Sequence, residues 1–307
     1  MCFWRKTARW PPRSSPSIDM DDAAKIVMET VRAADRDRYL SVLYAPEGAR
    51  GALLSLYAFN AEISGVRDRI REALPGEVRL QWWRDVIVAD DGAAEGDGAS
   101  IGHPVADALK ATISTHRLPR PAFENMLEAR VFDLYDDPMP SRTDLEGYCG
   151  ETAAALIQLA AMVLDPVEAP RFAELAGRAG CAQAMTGLLL LLPLHRKRGQ
   201  CFVPADILAA AGSTPEEFVA GDGGPGAERA VAAMIALARE HLAAFESGAR
   251  SLPVSLRPAF LPLALSRAYL GKMEGSRHSP LTGAARLSAL RRHWLLFRRA
   301  TQGWPSA

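Results

Sequence analysis

The sequence predicts an all-α protein, and three observations carry that expectation. Apolar residues recur at three- and four-residue spacing along almost the whole chain, while the strict alternation of a half-buried strand is scarce. Apolar residues make up 49% of the 307, enough for a sizeable core. Clusters of Pro and Gly interrupt the helical pattern at intervals, as connections between helices do.

Taken in order, residues 20–45 read as a helix that starts after Ser17 or Asp19. Residues 48–72 read as a long helix, with Leu53, Leu56, Tyr57, Ile63 and Val66 at helical spacing. Pro75-Gly76 marks a turn, and residues 77–90 form a helix carrying Trp82 and Trp83. Those two rings point about 100° apart on a helix, so one is expected in the core and the other near the surface. Residues 91–102 are rich in Gly, Ala and Asp and read as a loop. Helices follow at 103–116, 120–135 and 142–163, the last ended by Pro166 and Pro170. Residues 171–194 give a very apolar helix, in which Pro193 removes a backbone hydrogen bond and is expected to kink it. A short helix at 205–211, a second loop at 221–226, and helices at 227–248, 256–273 and 282–299 complete the pattern. No internal repeat stands out and neither glycine-rich stretch marks a change in composition, so residues 20–300 are expected to form one domain.

Composition excludes several function classes. Lys+Arg and Asp+Glu both number 36, which argues against a dedicated nucleic-acid binder. Cys2, Cys149, Cys181 and Cys201 are far apart and form no CxxC pair, which fits neither a zinc site nor a disulfide framework. The histidines show no HExxH pattern. No run of about 18 apolar residues occurs, so no spanning helix is expected. Residues 1–19 carry Arg5, Lys6, Arg9 and Arg13 without an acid until Asp19, and lack the apolar core of a secretory signal. They read as a disordered tail or as sequence upstream of a true start at Met20, with a targeting peptide as the alternative. The stretch from Arg286 to Arg299 joins five arginines and His293 to Leu290, Trp294, Leu295 and Phe297. Basic amphipathic helices of this kind lie on anionic membranes or cover a bundle.

Four short segments carry a resemblance. They are Asp37-Arg38-Tyr39 with Ala49-Arg50 and Leu56-Tyr57-Ala58-Phe59; Tyr148-Cys149-Gly150-Glu151-Thr152-Ala153; Gly180 to Thr186; and Arg198-Gly199 with Phe202-Val203-Pro204. In order and spacing they resemble the squalene and phytoene synthase family over residues 25–290. The resemblance implies an isoprenoid-synthase-type helical bundle with a central cavity. It also implies magnesium-dependent, head-to-head joining of two prenyl diphosphates. Magnesium takes hard oxygen ligands, and two carboxylates four residues apart share one helix face. The family sets one such Asp pair on each of two helices.

At the corresponding positions this chain departs from the family. The first pair falls on Ser64 and Asp68, the second on Leu191 and His195, so one acid stands where four are expected. Leucine cannot ligate magnesium, and imidazole prefers softer metals. Asp68 has Arg67 and Arg71 at hand as ion-pair partners, and Glu62 and Glu151 are the only other acids suggested for a relocated site. His195, beside Arg196, Lys197 and Arg198, reads as part of a charged helix C-terminus that suits the helix dipole.

The runs Ala58-Phe59-Asn60-Ala61-Glu62-Ile63, Val66-Arg67-Asp68 and Pro75 through Asp85, with its Arg79-Leu80-Gln81-Trp82-Trp83 core, resemble one divergent branch of the family. That branch contains a mitochondrial assembly factor for respiratory complex I, and its acidic motifs are also eroded. The resemblance implies a noncatalytic isoprenoid- or lipid-binding protein or a complex I assembly-type factor; the alternative is an active prenyl transferase with relocated acids. The residues it marks for substrate are Arg50, Tyr57, Asn60, Glu62, Asp68, Arg79, Tyr148, Gln183 and Arg198, with Asp68 as the one metal candidate. No cofactor is expected, with magnesium implied only for an active enzyme. The partners implied are an isoprenoid diphosphate or lipid in the cavity, a respiratory-complex assembly partner and a membrane surface, with no nucleic acid. The expected location is cytoplasmic, peripheral on the inner membrane face.

Overall fold

The computed structural model describes residues 20–89, 101–221, 223–275 and 279–304. The tail at 1–19 and most of the loop expected at 91–102 lie outside these residues. Among the described residues every regular element is helical.

The first expected helix is two. α1 (Met20–Ala34) stops at Asp35, whose side chain accepts a hydrogen bond from Arg38 N (2.9 Å) and caps α2 (Arg36–Val42). A capping carboxylate offers the backbone an alternative to continued helix, and the periodicity hid it. α3 (Glu47–Ser64) likewise ends at Gly65, and the short α4 (Val66–Arg69) follows. Pro75-Gly76 is no turn: α5 (Ala73–Val88) begins before it. Pro75 sits in the first helical turn, where its missing N–H has no partner to lose. Gly76 is needed because a Cβ there would lie 2.7 Å from the Leu134 side chain. Trp83 is wholly buried against Phe59, at 5.2 Å between rings, while Trp82 is half-buried beneath Arg79.

α6 (Pro104–His116), α7 (Arg120–Val131) and α8 (Arg142–Cys149) sit close to their expected positions. Between α8 and α9 (Ala155–Leu164) the chain makes one wide π turn at Gly150–Ala154. The long apolar helix, α10 (Ala173–Lys197), contains Pro193 as expected and continues past the expected end at 194. α11 (Ala205–Ala210) precedes α12 (Pro215–Ala220), which the periodicity missed. Its signal was local: Thr214 and Glu217 form a reciprocal capping box. α13 (Pro225–Gly248) starts within the stretch expected as a loop. The helix expected at 256–273 is broken into 3-10 turns flanking α14 (Arg257–Phe260), followed by α15 (Ser266–Met273). Pro258 and Pro262 each remove a donor there. α16 (Ala289–Gln302) starts later than expected, at its N-cap Ser288.

α10 packs along α13, along α9 and along the π turn, placing it at the centre of the bundle. Gly180 makes the last contact feasible, since a Cβ on it would fall 2.4 Å from the Ala154 backbone. Cys149, at the end of α8, and Cys181 on α10 are both buried and lie near each other in the core, and the Cys181 thiol donates to the Glu146 carbonyl of α8 (3.9 Å). The stretches Arg142–Leu164 and Ala169–Lys197 are long and apolar enough to span a bilayer, contrary to expectation. More than half of each apolar window (56%) is buried in the bundle, so they read as core helices. Buried apolar residues from Val27 to Trp304 pack into one core cluster.

Candidate functional site

A cavity of about 550 Å³ opens between the α1–α2 junction, α3–α4, the end of α7, the π turn, α10 and the 262–269 segment. Its α10 wall presents Leu188, Leu190, Leu191 and Leu194. Its carboxylates and arginines are equal in number: Asp35, Asp37, Asp68 and Asp133 against Arg38, Arg67, Arg130 and Arg198.

Each of these groups is engaged. Arg38 hydrogen-bonds Asp35, and Arg198 hydrogen-bonds Asp68. Arg130 pairs with Asp133 at 2.9 Å and donates to the Tyr148 hydroxyl at 2.6 Å, which in turn donates to Asp133 at 2.7 Å. Burial, more than the opposing Arg130 charge, pushes the Tyr148 phenol well above its usual range, so it stays a donor. Arg67 turns outward to Asp136 (2.8 Å) and the Arg71 carbonyl. Asp37 meets Arg292 of α16 at 3.1 Å without hydrogen-bond alignment, and Arg292 also donates to Tyr269 at 3.0 Å. Desolvation raises the Asp37 carboxyl to about 6, against the pull of Arg292.

His195 lines the same cavity, 9% exposed, with its ring 4.7 Å from Phe202 and its Nδ1 without a hydrogen-bond partner. Burial first, and Arg198 second, lower its pKa to about 4. It is therefore a neutral wall residue and not part of a charged helix end; the expectation from its basic neighbours is corrected by its position on the inner face of α10.

The architecture matches solved structures of one kind. A dehydrosqualene synthase in complex with ligand superposes with TM-score 0.76 at 16% identity, covering 91% of this chain and 95% of that one. A squalene synthase from Alicyclobacillus acidocaldarius gives 0.66 at 20%, covering 83% and 94%. Residues 31–294 match the family model described as squalene/phytoene synthase. The chain belongs to the squalene/phytoene synthase family. Among curated relatives, NADH dehydrogenase (ubiquinone) complex I, assembly factor 6 of Bos taurus is 28% identical over 247 residues, covering 80% of this chain and 72% of that protein. The phytoene synthase of Rhodobacter capsulatus is 23% identical over 282 residues, covering 89% and 79%.

This member of the squalene/phytoene synthase family is a divergent one, with eroded acidic motifs. All four positions of the two acid pairs, Ser64 with Asp68 and Leu191 with His195, line the cavity. The donor set there does not fit magnesium. The sole carboxylate of the four is bound to Arg198 rather than to Arg67 or Arg71. Among the described residues no three His, Cys, Asp or Glu side chains cluster as a metal would require. The acids suggested for a relocated site point elsewhere. Glu62 pairs with Arg69 (3.1 Å) and Arg79 (3.5 Å) off the cavity lining, and Glu151 is exposed beside a separate shallow hollow.

Of the residues marked from sequence, Asn60, Asp68, Tyr148, Gln183 and Arg198 line the cavity together. Gln183 Oε1 is buried there without a partner. Four do not. Arg50 donates to the Ala45 and Leu43 carbonyls behind α2 (3.0 and 3.3 Å), because those carbonyls at the helix end lack intrahelical partners. Tyr57 is buried in the core, its phenol pushed up to about 12, beneath Arg38. Glu62 and Arg79 are spent on each other, with Arg79 also stacked on Trp82 at 4.3 Å and bonded to His103 at 3.2 Å. Conversely, Asp35, Asp37, Arg130, Asp133 and Tyr269 were not marked. Asp37-Arg38 lay within a matched segment, whereas Arg130 and Asp133, three residues apart, lie in none of the matched segments.

Proposed function

We propose that this chain is a noncatalytic family member that holds an isoprenoid or lipid in its cavity and acts as a respiratory complex I assembly-type factor. The observation that carries the reading is the state of the two motif positions on the cavity wall. Leu191 and neutral His195 replace one acid pair, and Arg198 neutralises the one acid left in the other. Ionising a diphosphate requires cations on the developing negative charge. Here the cavity's arginines are already bound to acids or turned outward, so neither metal nor spare guanidinium serves a leaving diphosphate. A leucine-rich wall with a charge-balanced rim favours an apolar chain with a small neutral head. The assembly role is supported by the identity with the complex I assembly factor 6 proteins, which exceeds that with the phytoene synthase. We place the protein on the cytoplasmic side, peripheral at the inner membrane face.

The test is turnover of isotope-labelled farnesyl and geranylgeranyl diphosphate by purified protein with magnesium, beside an active family synthase. The expected result is no diphosphate release. Product that disappears in Asp68→Ala would overturn the reading in favour of a transferase with relocated acids. For the assembly role, deletion in the source organism is expected to deplete assembled complex I on native gels while squalene and carotenoid pools persist; intact complex I would refute it.

A further inference from the structure

The exposed face of α16 finds no use inside the bundle. Leu290, Trp294 and Phe297 are 82%, 59% and 49% exposed. Their spacing of four and three residues sets them in one stripe along the helix, and the Trp294 and Phe297 rings lie 6.2 Å apart. Arg291 and Arg298 flank the stripe on one side and His293 on the other, all exposed. After Glu274 the sequence contains six arginines (277, 286, 291, 292, 298 and 299) and no acid.

The opposite face fixes the helix in place. Leu296 is wholly buried, Arg292 reaches Tyr269 and Asp37, and Arg257 donates to the carbonyls of Ala300 and Thr301. The apolar stripe therefore points outward by construction, not by fraying. A second copy of the chain is a poor occupant, since a symmetric contact would bring the flanking arginines of both copies together. An anionic bilayer satisfies both features at once: the tryptophan and its apolar neighbours enter the acyl boundary while the arginines meet lipid phosphates.

We propose that α16 docks the protein on an anionic lipid bilayer through the Leu290–Trp294–Phe297 face, with Arg291 and Arg298 contacting headgroups. This rests on the peripheral location given above and names the surface responsible. On its inner face α16 is tied by Arg292 to Asp37 and Tyr269, two residues of the cavity lining.

The experiment is co-sedimentation of the full chain with vesicles of phosphatidylcholine alone and of phosphatidylcholine with phosphatidylglycerol. Two variants accompany it, the triple Leu290→Gln/Trp294→Gln/Phe297→Gln and the double Arg291→Glu/Arg298→Glu, with helicity checked by circular dichroism. All five side chains are exposed, so both variants are expected to fold. The wild type is expected to pellet with the anionic vesicles, and each variant to bind about tenfold more weakly. Wild-type binding that neither variant weakens overturns the assignment to α16 and leaves the peripheral location standing. Equal binding to both vesicles overturns the role of the arginines. No wild-type binding to anionic vesicles overturns both the assignment and the location. A concentration-dependent dimer abolished by the triple variant, without vesicle binding, makes the stripe a self-association face instead.

Discussion

The two helical walls that carry the family's acid positions are silenced in different ways. On the α3–α4 wall a carboxylate persists, and Arg198 from the end of α10 neutralises it at a partly exposed site. On the α10 wall the side chains themselves have changed: Leu191 extends the apolar lining, and His195 is buried deeply enough to stay uncharged. The first is a surface-type ion pair, removable at small cost. The second is built into the central helix of the bundle, where any charge must overcome desolvation. The α10 wall therefore limits any return to metal chemistry more severely than the α4 wall does.

The largest effect tests how rigidly that wall is held. Gly180→Ala puts a methyl 2.4 Å from the Ala154 backbone, so α10 and the π turn must separate. Overpacking of backbone against backbone is expected to cost about 3 kcal/mol or more in chemical denaturation. A near-neutral result would mean that the wall is soft.

Next is the proton linkage of His195. Its pKa falls from 6.5 unfolded to about 4 folded, so between these values the unfolded chain binds the extra proton. Stability is then expected to rise with pH across that window, to be fully present above 6.5, and to be lost toward pH 4. The contribution is on the order of 3 kcal/mol. Asp37 acts with the opposite sign, since its raised pKa of about 6 makes stability fall as pH climbs from 3.8 through 6. His195→Leu should remove the first slope and expose the second, and Asp37→Asn the reverse, in urea titrations across pH 4 to 6.5. Unchanged slopes in both would contradict the buried, neutral histidine.

The smallest effect belongs to the α4 wall. Asp68 and Arg198 side chains are 55% and 32% exposed, so a double-mutant cycle of Asp68→Ala and Arg198→Ala is expected to give a coupling of about 0–1 kcal/mol. A coupling above about 2 kcal/mol would put the pair in the buried class and erase the contrast between the walls.

The sequence by itself determined the helical class, the family and the erosion of the acid motifs. These are local facts: apolar spacing, and the identity of Ser64, Leu191 and His195 at a fixed distance from recognisable neighbours. It could also have supplied more than periodicity took from it. The Asp35 cap and the Thr214–Glu217 box are short-range signals that break or start helices against the apolar rhythm. Tertiary structure alone decided which charges meet. Asp68 finds Arg198, 130 residues away, rather than its neighbours, and Arg79 and Arg50 are spent outside the cavity. It also decided the charge of His195, because a basic run looks solvated until the fold turns one of its members inward. Spacing along a helix fixes the direction of a side chain, but its partner and its solvation depend on what the rest of the chain brings to that face.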